Sequence, residues 1–264
     1  MFNNLFDIRG KIALVTGGSR GIGEMIAAGF LANGAKVYIS SRKADACAAT
    51  AERLQAAYGG ECIAIPANLA DVEGCQQLAD TLSAREARLD ILINNAGNAI
   101  SVPFEKIKAE QWNEMISLNL TGVFHCTQAC LPAMKKQKWG RVINIASTAG
   151  LKAYAYVSAY CAAKHGVIGL TRSLALETAN AGITVNAICP GYTETAITES
   201  AIENISLKTG RTKAEAREEL LKNNPQKRFI QPEEIANTVL WLCQQEAASV
   251  TGQAISISGG EVMS

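Results

Sequence analysis

The 264-residue sequence lacks the features that mark membrane, secreted and nucleic-acid-binding proteins. No stretch reaches the roughly 18 uninterrupted apolar residues of a membrane-spanning helix. Residues 1–11 lack the charged start and apolar core of a secretory leader. The 25 basic and 24 acidic side chains nearly cancel, so there is no basic surplus to bind phosphate backbones. We therefore expect a soluble, cytoplasmic protein with no nucleic-acid partner and no membrane association.

Metal-binding and disulfide patterns are also missing. The chain has 8 cysteines without a C-x-x-C pair and only 2 histidines, so the usual zinc-ligand spacings do not occur. Cys126 and Cys130 share a helical face, but in an apolar helix this spacing is more typical of packing. We predict free, buried thiols and no metal site.

What the chain does have is a regular alternation of apolar strands and amphipathic helices. The pattern predicts strands at 11–17, 36–40, 61–66, 90–94, 141–145, 184–189 and 254–258, with helices at 22–33, 44–57, 72–84, 109–134 and 156–179. Such alternation requires right-handed crossovers and a buried parallel sheet. We predict one α/β domain over residues 1–264, with a doubly wound parallel sheet of about seven strands and helices on both faces.

A polar insertion at about 192–231 interrupts this alternation. It has a helical signal at 212–222, where Thr212 and Glu215 match a capping box, and Pro232 opens the next helix. The glutamates at 215–219 are typical of a solvated helix face. Because long insertions beside a regular sheet are usually functional, we predict a substrate loop or lid.

A glycine-rich turn, TGGSRGIG, follows the first strand and opens the first helix. Gly17 would permit the tight turn, Gly21 the close approach of a pyrophosphate, and Gly23 close contact between helix and sheet. Free N–H groups at the helix start would meet the anion. The spacing G-x-x-x-G-x-G differs from the commoner G-x-G-x-x-G, and a turn used only for packing is the alternative.

Tyr160 and Lys164 lie four residues apart in a predicted helix, so their side chains share one face. Ser147 stands thirteen residues before Tyr160, just after a predicted strand. The spacing alone is also typical of a packed ring beside a solvated amine. His165 points to a different face of the helix, and we interpret it as structural.

Taken together, these motifs resemble those of the short-chain dehydrogenase/reductase family over nearly the whole chain. The matching segments occur in the family's order: TGxxxGxG at 16–23, NNAG at 94–97, Asn119, Ser147, Tyr160 with Lys164, and PGYTET at 190–195. The resemblance implies a Rossmann fold and an enzyme that interconverts a ketone and a secondary alcohol. It identifies the catalytic residues as Asn119, Ser147, Tyr160 and Lys164.

By the same resemblance, Tyr160 donates the proton and Lys164 lowers its pKa, aided by oxidised nicotinamide, and binds the nicotinamide ribose. Ser147 polarises the carbonyl, and Asn119 holds a water that links Lys164 to solvent. The cofactor-binding residues are predicted to be Gly17, Ser19, Arg20, Gly21, Ile22, Gly23, Ser41, Arg42, Asn68, Leu69, Asn95, Ala96, Gly97, Tyr160, Lys164, Pro190, Gly191, Thr193 and Thr195. Asn68 replaces an Asp of the family at the adenine contact.

The residues after the second strand predict NADPH rather than NADH. Ser41 stands where an acid would hold a ribose 2′-hydroxyl, and Arg42 follows it. Arg20, inside the glycine turn, supplies a second guanidinium, so the two can bind one phosphate in bidentate geometry. Two solvated surface arginines are the alternative interpretation.

The substrate is less constrained, because the fold does not determine it. The chain most resembles the branch of the family that reduces 3-oxoacyl thioesters. This branch includes acyl-carrier-protein, CoA and polyketide reductases. The basic surplus at 208–228 would suit a phosphopantetheine or an acidic carrier protein, and a solvated basic lid helix is the alternative. Carrier-dependent relatives commonly have basic residues at two positions near the cleft. Here Lys138 keeps the charge at one of them, but Ala181 has none at the other, which counts against a carrier protein. A sugar, polyol or small free ketone is an alternative substrate. A non-catalytic NADPH sensor is an alternative class of protein. The resemblance also implies a homotetramer, for whose interfaces Trp112, Phe124 and Trp241 are candidates.

Overall fold

A computed structural model describes residues 7–263 of the chain. Residues 1–6, part of the segment on which the expectation of no leader rests, lie outside the described residues. The strands are β1 (Ile12–Thr16), β2 (Lys36–Ser40), β3 (Cys62–Ala64), β4 (Ile91–Asn94), β5 (Gly140–Ile145), β6 (Ile183–Pro190) and β7 (Ala254–Ile257). All seven strands are parallel and form one sheet in the order β3-β2-β1-β4-β5-β6-β7. The predicted seven-stranded, doubly wound α/β fold is confirmed.

Helices cover both faces of the sheet because side chains alternate along each strand. The helices are α1 (Gly21–Ala32), α2 (Ala44–Tyr58), α3 (Val72–Ser83), α4 (Ala109–Ile116), α5 (Gly122–Gln137), α6 (Ser158–Thr178), α7 (Ala196–Thr209), α8 (Lys213–Leu221) and α9 (Pro232–Leu242). In β1, Ala13 and Val15 face the core formed with α1, α2 and α9, whereas Leu14 faces the core formed with α3 and α5. All eight cysteines are buried free thiols, as predicted.

The strand order reverses between β1 and β4, since successive strands are added outward from each. At such a switch point the two loops that follow the strands diverge to opposite faces and leave a crevice at the carboxyl edge. The glycine turn follows β1, and residues 95–97 follow β4. The topology therefore places these two predicted cofactor segments on either side of one crevice.

Two predictions of secondary structure need correction. The helix expected at 109–134 is divided into α4 and α5 by a π-helical segment, Ser117–Thr121, which contains Asn119. In the insertion, α8 forms with its Thr212–Glu215 capping box as predicted, but α7 precedes it and was missed. The signals of α7 are local and weak: Ile202 and Ile205 on one face, and Gly210 in a left-handed conformation at its end. Ile202 packs with Ala216 and Phe229 in a small core of its own.

None of the helices in residues 7–263 is long and apolar enough to cross a lipid bilayer. The same residues contain no group of three or more histidine, cysteine, aspartate or glutamate side chains arranged to hold a metal ion.

Candidate active site

The glycine turn packs so tightly against the loop after β4 that side chains would not fit. A Cβ atom on Gly17 would lie 2.8 Å from Asn95 Nδ2, and one on Gly23 would lie 2.4 Å from both Asn95 Nδ2 and the Gly17 carbonyl oxygen. Asn95 Nδ2 donates to the carbonyls of Thr16 and Gly17, at 3.0 and 3.1 Å. Asn95, predicted to line the nicotinamide half, therefore uses its side chain to fasten the glycine turn.

The start of α1 suits a pyrophosphate. Gly21 adopts a φ of 57°, in the left-handed region that favours glycine. Arg20 occupies the N-cap position, and no side chain of the described residues caps the helix there. The first N–H groups of α1 are thus available to an anion, which the helix dipole also favours. Ser19 and Ile22 flank this position within the same turn.

The two arginines predicted to hold the 2′-phosphate are both exposed. Neither Arg20 nor Arg42 forms an ion pair with any of residues 7–263. Ser41 is partly buried at the end of β2, with its hydroxyl oriented towards the Lys43 carbonyl at 3.4 Å. The end of β2 therefore offers cations and no carboxylate.

The residues expected at the adenine lie after β3. Leu69 is buried, while Asn68 donates from Nδ2 to Asp71 Oδ2 at 2.6 Å. Asn68 Oδ1 accepts only a long bond, 3.4 Å, from the Ala70 N–H. This oxygen retains capacity for a further donor, such as the adenine amino group.

Asn119, Gly97 and Lys164 meet at the centre of the carboxyl edge. A Cβ atom on Gly97 would lie 2.7 Å from Asn119 Oδ1 and 3.7 Å from Lys164 Nζ. Asn119 is fully buried; its Oδ1 accepts from the Asn98 N–H at 3.2 Å, and its Nδ2 donates to the Met115 carbonyl at 3.0 Å. π-Helical segments often occur at functional sites because they redirect a side chain from the regular helix. Ala96 completes the loop and donates its N–H to the Thr16 hydroxyl.

Ser147, Tyr160 and Lys164 come together between β5 and α6. Lys164 Nζ donates to the Ile145 carbonyl at 2.8 Å and lies 5.6 Å from the centre of the Tyr160 ring. Ser147 follows β5, and its Oγ accepts from the Ala149 N–H at 3.1 Å. The predicted shared face of Tyr160 and Lys164 therefore does point at the end of the strand that carries Ser147.

The protein residues alone do not lower the pKa of Tyr160. The expected lowering depends on oxidised nicotinamide as well as Lys164, and it stays a prediction. Burial raises the pKa of Tyr160 to about 12, although a hydrogen bond with Ser147 opposes this. Burial also lowers the pKa of Lys164 to about 8. Desolvation disfavours the charged form of each group and is the largest cause of both shifts. Tyr160 is thus a neutral phenol near pH 7, as a proton donor must be.

The loop after β6 closes over the glycine turn. Pro190 ends β6, and the Gly191 N–H donates to the Ile257 carbonyl of β7 at 2.9 Å. Thr193 donates from Oγ1 to the Gly191 carbonyl at 3.0 Å, which fixes the turn. Thr195 Cγ2 lies 3.4 Å from the position of a Cβ on Gly21. The predicted diphosphate and carboxamide contacts are therefore brought to the same crevice.

Several residues that border this site were missed by sequence reasoning. Tyr154 packs edge-on against Tyr192, with ring centres 6.2 Å apart, and its hydroxyl lies 2.8 Å from Glu261 Oε1. Glu261 also pairs with Lys152 at 2.9 Å. The signal for Lys152 and Tyr154 was their place between Ser147 and Tyr160. Glu261 had no local signal, since it is more than a hundred residues away.

Comparison with known proteins agrees with this geometry. The family model described as short chain dehydrogenase matches residues 11–206. The chain is 41% identical to a 3-oxoacyl-[acyl-carrier-protein] reductase of Synechocystis sp., over 96% of this chain and 97% of the relative. It is 40% identical to a D-beta-hydroxybutyrate dehydrogenase of Cupriavidus necator, over 97% of this chain and 99% of the relative.

Among solved structures, a variant of actinorhodin polyketide ketoreductase with NADPH has a TM-score of 0.91 and 36% identity, with coverage of 95% of this chain and 97% of the other. The chain belongs to the short-chain dehydrogenase family. It is an oxidoreductase of alcohol and carbonyl groups that uses a nicotinamide dinucleotide, and the glycine turn, the start of α1 and the cations after β2 fit such a cofactor.

Proposed function

We propose that this protein reduces a 3-oxoacyl thioester to the 3-hydroxyacyl thioester with NADPH. The observation that carries the proposal is the convergence of Ser147, Tyr160 and Lys164 beside the glycine turn. The identity of about 40% to a 3-oxoacyl-[acyl-carrier-protein] reductase supports the substrate class. The presence of both Tyr160 and Lys164 argues against a non-catalytic NADPH sensor.

In this proposal NADPH supplies the hydride for the carbonyl carbon, and the protein supplies the proton and the electrostatic environment. Tyr160 donates its phenolic proton to the carbonyl oxygen as the C=O π bond breaks. The Ser147 hydroxyl donates a hydrogen bond to the same oxygen and so stabilises its developing charge. Lys164 stabilises the phenolate left on Tyr160 and binds the nicotinamide ribose, and Asn119 orders a water for proton resupply.

Three exposed apolar side chains would provide a rim for an acyl substrate at the mouth of the crevice. Phe104, Tyr156 and Leu207 are 77%, 64% and 87% exposed. Tyr156 has a φ of 69°, an uncommon strained conformation for an aromatic residue, and its carbonyl accepts from the Val102 N–H at 2.7 Å. Lys208, next to Leu207, donates to the Ser101 carbonyl at 3.4 Å and so brings α7 to the same loop. A rim of this kind would bury methylene groups, each contributing about 0.8 kcal/mol.

The proposed function is tested by NADPH oxidation with acetoacetyl-CoA, longer 3-oxoacyl-CoA thioesters, diketones and sugars. We expect thioester turnover, with kcat/KM rising about fourfold for each further methylene that the rim buries. Tyr156→Ser should weaken this dependence of kcat/KM on chain length, while acetoacetyl-CoA, the shortest thioester, should still be reduced. Turnover of a sugar or polyol with no turnover of any thioester would contradict the proposal.

The buried Tyr160 and Lys164 predict opposite pH dependences for the two reaction directions. Reduction needs the neutral phenol of Tyr160, which persists to about pH 12. It also needs the positive charge of Lys164, which is lost as the pH rises through about 8. We expect kcat/KM for reduction to be level near neutrality and to fall above about pH 8, whereas alcohol oxidation should rise with pH because it needs the phenolate. Initial rates in both directions from about pH 6 to about pH 10 measure this. A reduction rate that increases above pH 8 would contradict the assignment.

The assembly and the carrier remain part of the proposal. Trp112, Phe124 and Trp241 are each at least 40% exposed, which suits the proposed homotetramer with pairing through α4, α5 and α6 and through α9 and β7. Lys138, at the end of α5, is a basic residue available to an acyl carrier protein, whereas Ala181 offers no charge. With the proposed substrate, we propose a role in fatty acid metabolism and a location in the cytoplasm.

A further inference from the structure

Glu261 is a buried carboxylate beside the catalytic crevice, although the proposed chemistry gives it no role. Its side chain is 2% exposed. It lies 3 residues beyond Ser258, the residue that follows β7, and its N–H donates to the Ser258 carbonyl. A Cβ atom on Gly191, in the loop over the cofactor crevice, would lie 3.5 Å from Glu261 Oε2. A carboxylate in this environment needs a compensating charge.

Lys152 provides that charge. Its Nζ lies 2.9 Å from Glu261 Oε1, and its side chain is 31% exposed. Lys152 is the only charged residue between Ser147 and Tyr160, and its N–H donates to the Thr148 carbonyl at 2.9 Å. The ammonium group is therefore carried on the turn that begins at Ser147, beside the loop that contains Gly191.

Tyr154 completes the arrangement and ties it to the catalytic turn. Its hydroxyl donates to Glu261 and lies 2.8 Å from Thr148 Oγ1, while its ring packs on Tyr192. Lys152 Nζ also lies 4.8 Å from the centre of the Tyr154 ring. Glu261 thus holds the lysine by charge and the tyrosine by hydrogen bonding, so the pair is neutral and its geometry is fixed.

We infer that Glu261 is a specificity-determining residue that occupies Lys152 and thereby restricts the site to 3-oxo substrates without a free carboxylate. The inference rests on the proposed function and refines it. A 3-oxo acid and a 3-oxoacyl thioester differ at the group that follows the ketone by one negative charge. An anion placed beside the neutral pair would lose its hydration without gaining a cation. The thioester carries no such charge at this position.

The test compares acetoacetate with ethyl acetoacetate, which has the same reacting ketone but no charge. For the protein with NADPH, we expect kcat/KM for the ester to exceed that for the acid by at least about tenfold. Glu261→Gln keeps an oxygen for Lys152 and Tyr154 but removes the negative charge. It should raise the acid-to-ester ratio of kcat/KM by about tenfold or more, because Lys152 can then pair with the substrate carboxylate.

The matched control is Glu261→Gln combined with Lys152→Met, which removes both charges and should return the acid-to-ester ratio to its original value. A structural role for Glu261 would lower both rates together and leave the ratio unchanged, and that result would overturn the inference. Equal use of acid and ester by the unaltered protein would overturn it as well. Reduction of the ester but not of acetoacetyl-CoA would count against the proposed thioester substrate, yet the ratio would still decide the role of Glu261.

Discussion

Tyr160→Phe is expected to lower turnover by about 10²–10⁴-fold while NADPH still binds. The substitution removes one oxygen atom and leaves the volume of the ring nearly unchanged, so the surrounding packing should persist. The phenolic proton is lost, and with it the hydrogen bond with Ser147. Steady-state reduction of a reactive ketone, measured beside NADPH affinity by fluorescence, separates chemistry from binding.

Two further variants make this result specific. Tyr58→Phe removes the same oxygen from an exposed ring at the end of α2 and should leave turnover unchanged. Lys164→Ala should impair both binding and turnover, because it removes a ribose contact, the charge beside Tyr160 and the bond to the Ile145 carbonyl. If Tyr160→Phe retains more than about a tenth of the original turnover, the loss is smaller than the weakest general-acid effect and another donor must act.

Cofactor choice should reverse when Ser41→Asp is combined with Arg42→Leu. The unaltered protein is expected to favour NADPH over NADH by well over tenfold, because each charge-assisted bond from Arg20 and Arg42 to the 2′-phosphate contributes about 1.5–3 kcal/mol. In the double variant an aspartate can hold the 2′-hydroxyl of NADH, and it repels the phosphate of NADPH. The ratio of kcat/KM for the two cofactors, at fixed ionic strength, measures the change.

Arg85→Leu serves as the control, since it removes an exposed guanidinium after α3. Its neighbour Glu86 pairs with Lys36 at the start of β2, at the opposite end of the strand from Ser41 and Arg42. This variant should keep the preference for NADPH. A protein that uses NADH as well as NADPH before any substitution would show that Arg20 and Arg42 are solvated surface residues, which was the alternative interpretation.

Local patterns were sufficient to predict most of the fold. β2 was predicted with its observed bounds, Lys36–Ser40, because β-branched and aromatic residues alternate between two buried faces. The cap of α8 was predicted because Thr212 and Glu215 lie three residues apart and satisfy each other's backbone groups. By contrast, α7 was missed because its buried face is only Thr198 and Ile202, too short a stripe for a period to be detected.

The candidate site was predictable where a motif is local and was not where contacts cross the chain. The shared face of Tyr160 and Lys164 was predictable because four residues make about one helical turn. Their proposed roles came from the resemblance to the family, since the spacing alone is also typical of a packed ring beside a solvated amine. Burial within the protein raises the pKa of Tyr160 to about 12, an effect that sequence reasoning missed. Desolvation depends on every element packed around the ring, and no motif encodes it.

The sequence by itself determined the succession of strands and helices along the chain, the glycine turn with its adjoining cations, and the spacing of the proposed catalytic residues. The strands, helices and glycine turn are set by backbone preference and side-chain period within about twenty residues, whereas the proposed catalytic roles were implied by the resemblance to the family. Only the tertiary structure decided that β1 and β4 are neighbours, that Asn95 fastens the glycine turn, and that Glu261 neutralises Lys152. Contacts between distant segments depend on how the whole sheet closes its two cores, and for that reason they are absent from any local pattern of residues.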